Sequence, residues 1–503
     1  MATSSKPDKK NKNEEISQTN KQLTELTAKS FGNMKAIKLD FSNNDISEIP
    51  PEVGQLKSME ILIMDDNRLN GLPEELGQVA TLKELHLANN KLFFYPFPPA
   101  LGNLKNLHTL VLKNNQLIDL NPCFGDMSAL TYLDLSQNDL KQIPPYLLSL
   151  ANLVTLNVAK NKLQGLPDAI SKWQNLQTLL LESNKFTKLP DNIGDLPSLT
   201  HLNVEYNGIR ALPDTFANLN KLKVLVLSDN PALSQIPEFS CFPQMQKMHL
   251  RNLQLPFLSP TIGTLQHLEE LELRDNSNLK VIPAEIGQLQ SLTRIDLYGN
   301  KLKQLPASIG NLRNLKTMDL RANCFTIETL PSQLGNLIGL QRIYFSGNKL
   351  GSIPNEVLGM TGLQELDLSN NELHDVPEQL SVLINLKRLN LSGNAVRRLP
   401  PSISALTQLE LIDVKHNELS KLPDEIAVLT SLKKMDCSHN MLTELPWDLG
   451  NLEDTLKTLD LQYNPIVIPP RPVVDKGTQA VLNWLAKNAA QGKAAKQKGG
   501  LNV

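Results

Sequence analysis

The chain repeats one short pattern of hydrophobic and polar positions along nearly its whole length. In residues 386–394 the pattern reads Leu386-Lys-Arg-Leu389-Asn-Leu391-Ser-Gly-Asn394, which is three leucines at fixed spacing followed by an asparagine. The same pattern returns about every 23 residues, and 19 copies can be indexed between residues 44 and 464. A fixed period of this length is typical of a solenoid, in which similar small units stack side by side.

The spacing also predicts the local structure of each copy. Leu389 and Leu391 are two residues apart and point to one face of a strand, whereas Asn390 points to the other face. A Leu-Pro or Ile-Pro pair follows, and the next segment has room for only about one or two helical turns. The predicted fold class is therefore an α/β solenoid: a horseshoe of about 19 repeats with parallel strands on the concave face and short helices or 3-10 turns on the convex face.

The recurring asparagine is interpreted as structural. It occupies 18 of the 19 copies, and the exception is Leu253. An amide both donates and accepts hydrogen bonds, so stacked asparagines would satisfy the turn backbone of their own and the neighbouring copy. Each buried group left unpaired would cost about 1–3 kcal/mol. We therefore expect a break in this ladder, and a less stable repeat, at Leu253 unless Asn252 replaces the missing amide.

The segments outside the regular pattern define the predicted domain organisation. An exposed strand edge at either end of a solenoid needs a cap, and an apolar helix face formed by Val481, Leu482 and Leu485 fits that role. A cluster of aromatic residues at 93–99, within a repeat of 25 residues, is expected to pack on neighbouring turns, with an apolar contact site as the alternative. The predicted segments are a disordered basic tail (1–16), an N-terminal cap or half repeat (17–33), the solenoid (34–470), a C-terminal capping helix (471–488) and a disordered tail (489–503).

Composition narrows the possible partners. Lysine and arginine number 50 against 52 acidic residues, which argues against general nucleic-acid binding. The sequence has no apolar stretch long enough to span a membrane, and the basic N-terminal tail allows at most weak contact with anionic lipid. Four scattered cysteines favour a reducing compartment. The expected location is the cytoplasm, with association with the cytoskeleton as an extension of that expectation.

The sequence carries no motif for catalysis or for a bound cofactor. Phosphate-binding loops, zinc-binding pairs of cysteines and nucleophile elbows are all missing from it. His416 and His439 share one position in successive repeats, and a solvated surface is favoured over a metal pair there. We therefore expect no enzyme activity, no cofactor and no metal.

Binding of a folded protein is the remaining function, and the variable strand positions are expected to carry it. From residue 272 onward the position between the second and third leucines is mostly acidic, with arginine and tyrosine beside it. The alternative is that these acids and bases only neutralise one another across neighbouring strands. Tyrosine and arginine are favoured anchors of protein interfaces, which supports a contact surface. The predicted partner-binding residues are Arg251, Arg274, Arg294, Asp296, Tyr298, Asp319, Arg321, Arg342 and Tyr344.

The consensus Leu-Pro-x-x-Ile-Gly-x-Leu after each strand resembles that of intracellular Ras-group leucine-rich repeat proteins. A closer resemblance, to leucine-rich repeat proteins of amoeboid cells, lies in residues 440–447, 464–470 and 476–485. The resemblance implies a scaffold in small-GTPase signalling and in actin remodelling or cell movement, with a Ras-like GTPase or its regulator as the partner. The alternatives are a regulatory or targeting subunit of a protein phosphatase, and a passive structural component of a cytoskeletal or ciliary assembly.

Overall fold

The computed structural model describes residues 15–32, 34–93 and 97–497. Most of the basic tail and the last six residues of the C-terminal tail, both predicted to be disordered, lie outside the described residues. The chain divides into two compact units, Met1–Met245 and Gln246–Val503.

The first unit is built on short parallel strands of three residues. Each strand pairs in register with the next one along the chain, as Glu15 of the first strand does with Lys38 of the second. From β2 onward the middle residue of each strand is buried, because it is the second of the three patterned leucines or its equivalent. The strands are β1 (Glu15–Ser17), β2 (Lys38–Asp40), β3 (Ile61–Ile63), β4 (Glu84–His86), β5 (Thr109–Val111), β6 (Tyr132–Asp134), β7 (Thr155–Asn157), β8 (Thr178–Leu180), β9 (His201–Asn203) and β10 (Val224–Val226).

The second unit repeats this arrangement and adds the α-helices of the chain's described part. Its strands also pair in parallel and in register, so that equivalent residues of successive repeats form straight rows across the sheet. The strands are β11 (Lys247–His249), β12 (Glu270–Glu272), β13 (Arg294–Asp296), β14 (Thr317–Asp319), β15 (Arg342–Tyr344), β16 (Glu365–Asp367), β17 (Arg388–Asn390), β18 (Leu411–Asp413), β19 (Lys434–Asp436) and β20 (Thr458–Asp460), and the α-helices are α1 (Asn355–Leu358), α2 (Arg471–Val474) and α3 (Thr478–Gln497).

Short 3-10 helices connect the strands on the opposite side. Most begin just after a proline, which lies at the N-cap with its φ fixed at about −70° and its ψ still extended, so that the helix starts at the next residue. They are Ala28–Phe31, Pro51–Gln55, Glu74–Gln78, Pro99–Asn103, Pro122–Asp126, Pro145–Ser149, Ile170–Lys172, Ile193–Asp195, Asp214–Asn218 and Phe239–Cys241 in the first unit, and Pro260–Thr264, Ala284–Gln288, Ala307–Asn311, Ile327–Thr329, Ser332–Asn336, Glu378–Val382, Pro401–Ala405, Asp424–Val428 and Trp447–Leu452 in the second. The predicted α/β solenoid is therefore confirmed in each unit.

The asparagine ladder is also confirmed. The Nδ2 of Asn323 donates to the carbonyl oxygens of Leu297 (2.9 Å) and Leu320 (3.2 Å), which belong to the preceding repeat and its own. Its Oδ1 accepts a hydrogen bond from the Leu302 N–H at 3.1 Å. Leu253 at the exceptional position is buried, and Asn252 beside it adopts a positive φ of 51°.

The residue before the ladder asparagine recurrently has a left-handed backbone conformation. Its φ is 58° at Asp275, 69° at Gly299, 51° at Ala322, 52° at His416 and 55° at Tyr463. Glycine, asparagine and aspartate tolerate this conformation best. The sharp turn before the asparagine requires the left-handed conformation at alanine, histidine and tyrosine as well.

The first strand and the last helix differ from the predicted segment boundaries. β1 begins at Glu15, inside the segment predicted to be disordered, because it pairs with β2 and Glu15 forms an ion pair with Lys38 at 2.6 Å. At the other end Val481, Leu482 and Leu485 are buried, but α3 continues to Gln497 instead of ending at 488.

Contacts with the last 3-10 helix explain the longer C-terminal helix. The rings of Trp447 and Trp484 stack with centroids 5.5 Å apart, and Gly492 lies directly against Trp447. Lys493 forms an ion pair with Asp448 at 2.6 Å. The helix is thus held by tertiary contacts beyond the segment that covers the apolar core.

The two repeats of 25 residues differ in how they take up their extra length. The second contains an additional 3-10 helix, Ile327–Thr329, and the register between β14 and β15 is unchanged. In the first, Phe97 is buried and packs edge-on against Phe124 with centroids 4.9 Å apart, while Phe93 is 48% exposed. The predicted packing is confirmed for Phe97, and residues 94–96 lie outside the described residues.

Among the residues that the structure describes, no helix is both long enough and apolar enough to cross a membrane.

Candidate protein-binding groove

A groove crosses the strand side of the second unit between β11 and β15. Its volume is about 830 Å³. The in-register pairing creates it, because side chains from equivalent positions of five successive repeats line up across the sheet. The lining residues are Lys247, Glu269, Glu270, Arg274, Thr293, Arg294, Asp296, Lys316, Thr317, Asp319, Arg321, Gln341, Arg342 and Tyr344.

Arginine and tyrosine alternate along this groove in what we call the Arg–Tyr column: Arg274, Tyr298, Arg321 and Tyr344. The guanidinium carbon of Arg274 lies 4.8 Å from the ring centroid of Tyr298, and that of Arg321 lies 5.4 Å from Tyr298 and 5.2 Å from Tyr344. These are cation–π distances. Each member of the column is therefore held by its neighbours.

Hydrogen bonds to carboxylates fix the column further. Arg321 donates from Nε and Nη2 to the two carboxylate oxygens of Asp319, at 2.9 Å and 2.5 Å, and this bond raises the pKa of Arg321. Burial raises the pKa of Tyr344, and the hydrogen bond between its hydroxyl and Glu365 raises it as well. Both side chains are pre-organised before any partner arrives.

The acidic row of the groove has a structural role that the sequence reasoning missed. Asp296 and Asp319 are buried, and each accepts a hydrogen bond from the backbone N–H two residues later, at 3.1 Å in both cases. The same bond recurs at Asp367, Asn390, Asp413, Asp436 and Asp460. Burial raises the pKa of Asp296, while the Tyr298 N–H lowers it. The side chains of this row support the end of each strand, and the two buried carboxylates, Asp296 and Asp319, are largely inaccessible.

The remaining bases give the groove a surplus of positive charge. Six lysines and arginines line it against four acidic residues. Arg294 lies 3.7 Å from Glu270 and 3.5 Å from Asp296, so its charge is shared. Arg342 donates to the hydroxyl of Thr317 at 3.1 Å, and Lys316 approaches a backbone carbonyl oxygen at 3.4 Å. Within the described part of the chain neither Arg342 nor Lys316 has a carboxylate within 4.0 Å.

The structure brings most of the predicted site residues together. Seven of the nine line the groove, and Tyr298 joins them through the Arg–Tyr column, whereas Arg251 is not among the lining residues. The lining residues that the sequence reasoning missed are Lys247, Glu269, Glu270, Thr293, Lys316, Thr317 and Gln341. They occupy the first strand position and the residue before it. Their signal in the sequence is the recurrence of polar and charged residues immediately before each strand leucine.

A second aromatic arrangement lies near the C-terminal end of the same sheet. The rings of His416 and His439 stack at 4.0 Å, and those of His439 and Tyr463 at 4.1 Å. In the described ranges no group of three or more histidine, cysteine, aspartate or glutamate side chains is placed to hold a metal ion. The histidine pair therefore forms part of a ring stack.

Comparison with known proteins identifies the repeat. The family model described as "leucine-rich repeat region" matches residues 295–392, and that described as "leucine rich repeat" matches residues 80–140, 151–209 and 384–442. No match is found among curated proteins.

Solved structures share both the fold and part of the sequence. A leucine-rich repeat protein of Leptospira interrogans is 31% identical, with 85% of this chain and 96% of that chain covered and a TM-score of 0.63. The leucine-rich repeat ectodomain of the Arabidopsis receptor kinase HAESA, solved in complex with an IDA peptide hormone, is 29% identical, with coverages of 88% and 80% and a TM-score of 0.62. A TDR receptor is 26% identical, with 85% of each chain covered and a TM-score of 0.61.

Proposed function

The chain belongs to the leucine-rich repeat family, and we propose that it is a non-enzymatic scaffold that binds a folded protein partner in the groove of its second unit. The single observation that carries the proposal is the Arg–Tyr column. Arginine and tyrosine often carry much of the binding energy of protein interfaces, and here four of them are aligned by cation–π contacts, three of which line one groove. The HAESA structure supports the use of this repeat type for polypeptide recognition.

Pre-organisation favours binding over a purely internal role for these side chains. A free arginine or tyrosine loses rotamer freedom when a partner immobilises it, which costs about 0.5–1.5 kcal/mol per side chain. Arg321 and Tyr344 have already lost that freedom through Asp319, Glu365 and each other. A partner therefore gains their contacts at a smaller entropic cost.

We further propose that the partner is a Ras-like GTPase or its regulator and that the complex acts in actin remodelling or cell movement in the cytoplasm. The resemblance of the repeat consensus to Ras-group leucine-rich repeat proteins supports this assignment, as does that of residues 440–485 to leucine-rich repeat proteins of amoeboid cells. The positive surplus of the groove suits a partner with an acidic contact surface.

Affinity capture from cell lysate, followed by mass spectrometry, tests the proposal. The wild type is compared with Arg321→Ala combined with Tyr344→Ala. A matched control replaces one arginine and one tyrosine outside the groove, Arg397→Ala with Tyr463→Ala, whose side chains are also well exposed. We expect the groove variant alone to lose its partner.

The captured partner then decides between the candidate roles. For a purified GTPase, loss of two anchor residues should weaken binding by about thirtyfold or more, and affinities for the GTP-loaded and GDP-loaded forms should differ. Phosphatase activity that co-purifies with the wild type would replace the GTPase proposal by a phosphatase-targeting role. Identical partner sets for the wild type and the groove variant would refute the site.

A further inference from the structure

Beyond the groove, five exposed cations lie at the start of β17, β19 and β20, along one edge of the strand side. We call this row the basic rim; it consists of Lys387, Arg388, Lys433, Lys434 and Lys457. Each is either the first residue of a strand or the residue immediately before it. The backbone N–H groups of residues 433 and 457 donate to the carbonyl oxygens of residues 410 and 433, so the register continues through the rim.

Most of this charge is not neutralised within the protein. Glu410 is the one acidic residue among the rim positions from 387 to 457, and its carboxylate forms an ion pair with Lys433 at 2.8 Å. That lysine lowers the pKa of Glu410, and Lys387 and Arg388 lower it further. Lys457 approaches only a backbone carbonyl oxygen, at 2.5 Å. In the part of the chain that the structure covers, Lys387, Arg388 and Lys434 have no carboxylate within 4.0 Å.

The rim is not a general property of the repeat. The equivalent positions of four strands in the first unit carry no lysine or arginine at all. The residues there are His108 and Thr109, Thr131 and Tyr132, Val154 and Thr155, and Gln177 and Thr178. Because these four repeats form the same strands without a cation at either position, the cations of the rim are not required for the repeat to fold and are available for another role.

A row of carboxylates runs parallel to the rim, and it limits what can bind. Asp413, Asp436 and Asp460 lie two residues further along their strands, which is about 6.6 Å from the first strand position. A uniformly anionic surface such as a membrane would cover both rows and be repelled by the second. A nucleic acid that reached the His416–His439–Tyr463 ring stack would have to lay its phosphates across these carboxylates.

We infer that the basic rim binds an acidic polypeptide segment that crosses β17 to β20 with its carboxylates directed to one side. Such a segment is narrow enough to meet the cations without covering the aspartates. Alternate side chains of an extended chain share one face, and the chain advances about 3.3 Å per residue, so acids four residues apart on that face lie about 13 Å apart. Neighbouring strands lie about 4.8 Å apart, which puts β17 and β20 at a similar separation of about 14 Å. The rim lies outside the groove, and this inference does not depend on what the groove binds.

Fluorescence anisotropy with the full-length protein and labelled decaglutamate tests the inference. The test variant is Arg388→Glu with Lys434→Glu, and the control is Lys280→Glu with Lys303→Glu. The control makes the same change in net charge at exposed lysines outside the rim. We expect the wild type to bind with an affinity that falls as salt rises, the test variant to bind at least about tenfold more weakly, and the control to bind like the wild type.

Three further measurements keep the outcome decisive. Arg388→Gln with Lys434→Gln removes the charges without introducing repulsion, and circular dichroism verifies that each variant is folded. Capture of the groove partner by the Arg388→Gln with Lys434→Gln variant should equal that by the wild type, which separates this test from that of the proposed function. Vesicles of equimolar phosphatidylserine and phosphatidylcholine, and a thymidine oligonucleotide, serve as competing probes.

The inference is overturned by any of three results. The first is no binding of decaglutamate by the wild type at low salt. The second is equal weakening in the test and control variants, which would mean that net charge alone is responsible. The third is tighter binding of the vesicles or the oligonucleotide than of decaglutamate, which would assign the rim to a membrane surface or a nucleic acid.

Discussion

Replacement of Asn323 by alanine measures how much one ladder asparagine contributes to stability. Its amide donates to the carbonyl oxygens of Leu297, Leu320 and Arg321, at 2.9, 3.2 and 3.1 Å. All three oxygens keep another donor when the side chain is removed. The Asn300 amide still donates to the Leu297 oxygen, the Asn348 amide to the Leu320 oxygen, and the Gly299 N–H to the Arg321 oxygen. The buried N–H of Leu302 donates to the Asn323 Oδ1 and is left without an acceptor.

The free energy of unfolding should therefore fall by about 2–4 kcal/mol. One buried N–H without an acceptor costs about 1–3 kcal/mol, and the three weakened carbonyl contacts add the remainder. Asn385→Ala is the control, because the hydrogen bonds of the Asn385 amide are exposed: it donates to the Thr361 carbonyl oxygen at 2.9 Å and accepts from the Gln408 amide at 3.5 Å. Asn385→Ala should lower the free energy of unfolding by about 0.5 kcal/mol.

Urea unfolding followed by circular dichroism gives the two free energies, and hydrogen exchange locates the effect. The Leu302 amide should lose protection in Asn323→Ala before the amides of distant repeats do, since neighbouring repeats stabilise one another in a nearest-neighbour manner. Unchanged exchange at Leu302, together with a loss below about 1 kcal/mol, would refute the assigned role of the ladder.

Three further predictions concern the turn side, the cap and the acidic row. Gly310→Ala should lower the free energy of unfolding, measured with urea, by about 1–3 kcal/mol, because a Cβ there would overlap a backbone carbonyl of the next repeat. At Gly351 a Cβ meets nothing within 4 Å, so Gly351→Ala should change that free energy by less than about 0.5 kcal/mol. Equal effects of the two substitutions would contradict the packing argument. Leu485→Ala should lower the free energy of unfolding by about 2–5 kcal/mol, since this side chain of the C-terminal helix is fully buried. An unchanged thermal midpoint would show that the helix does not cap the core. Burial raises the pKa of Asp296 in the folded state, so the wild type gains stability as the pH falls through that raised pKa. Asp296→Asn keeps the acceptor for the Tyr298 N–H, so it should be at least as stable as the wild type at pH 7 and should show no such gain at low pH. A clear loss of stability at pH 7 would show that the ion pair with Arg294 outweighs the cost of burial.

The strands and the ladder were predictable because one period controls both. A leucine pair two residues apart fits the alternation of a strand, and an asparagine that keeps its phase over 18 copies has a common structural cause. The positive φ before each asparagine was harder to predict. Residues as different as Lys160, Ala322 and Tyr463 occupy that position, so their own preferences do not reveal the conformation that the turn imposes.

The acidic row shows why the site was only partly predictable. In the sequence, an aspartate that accepts a hydrogen bond at the end of its own strand cannot be distinguished from an aspartate that faces solvent, because both occupy the same polar position of the repeat. Asp319 is nearly buried and bonded both to Arg321 and to a backbone N–H, which follows from distances that a single sequence does not contain. The polar and charged residues just before each strand were not predicted as part of the site, because their types alone do not distinguish a groove from a solvated surface.

The C-terminal helix was underestimated for a tertiary reason. Residues after 488 are rich in glycine, alanine and lysine, a composition that favours disorder when nothing covers it. The structure places Gly492 against Trp447 and Lys493 beside Asp448, which are residues about 45 positions earlier. Contacts of such sequence separation are invisible to local composition.

The additional 3-10 helix at Ile327–Thr329 shows how this chain accommodates change in length. Its residues are accepted on the side away from the strands, while Thr317 and Arg342 remain opposite each other in neighbouring strands. Length can thus vary on one side of the molecule while recognition evolves independently on the other. This position is the natural place to graft a tag or a peptide epitope, because the insertion would leave the strand side as it was.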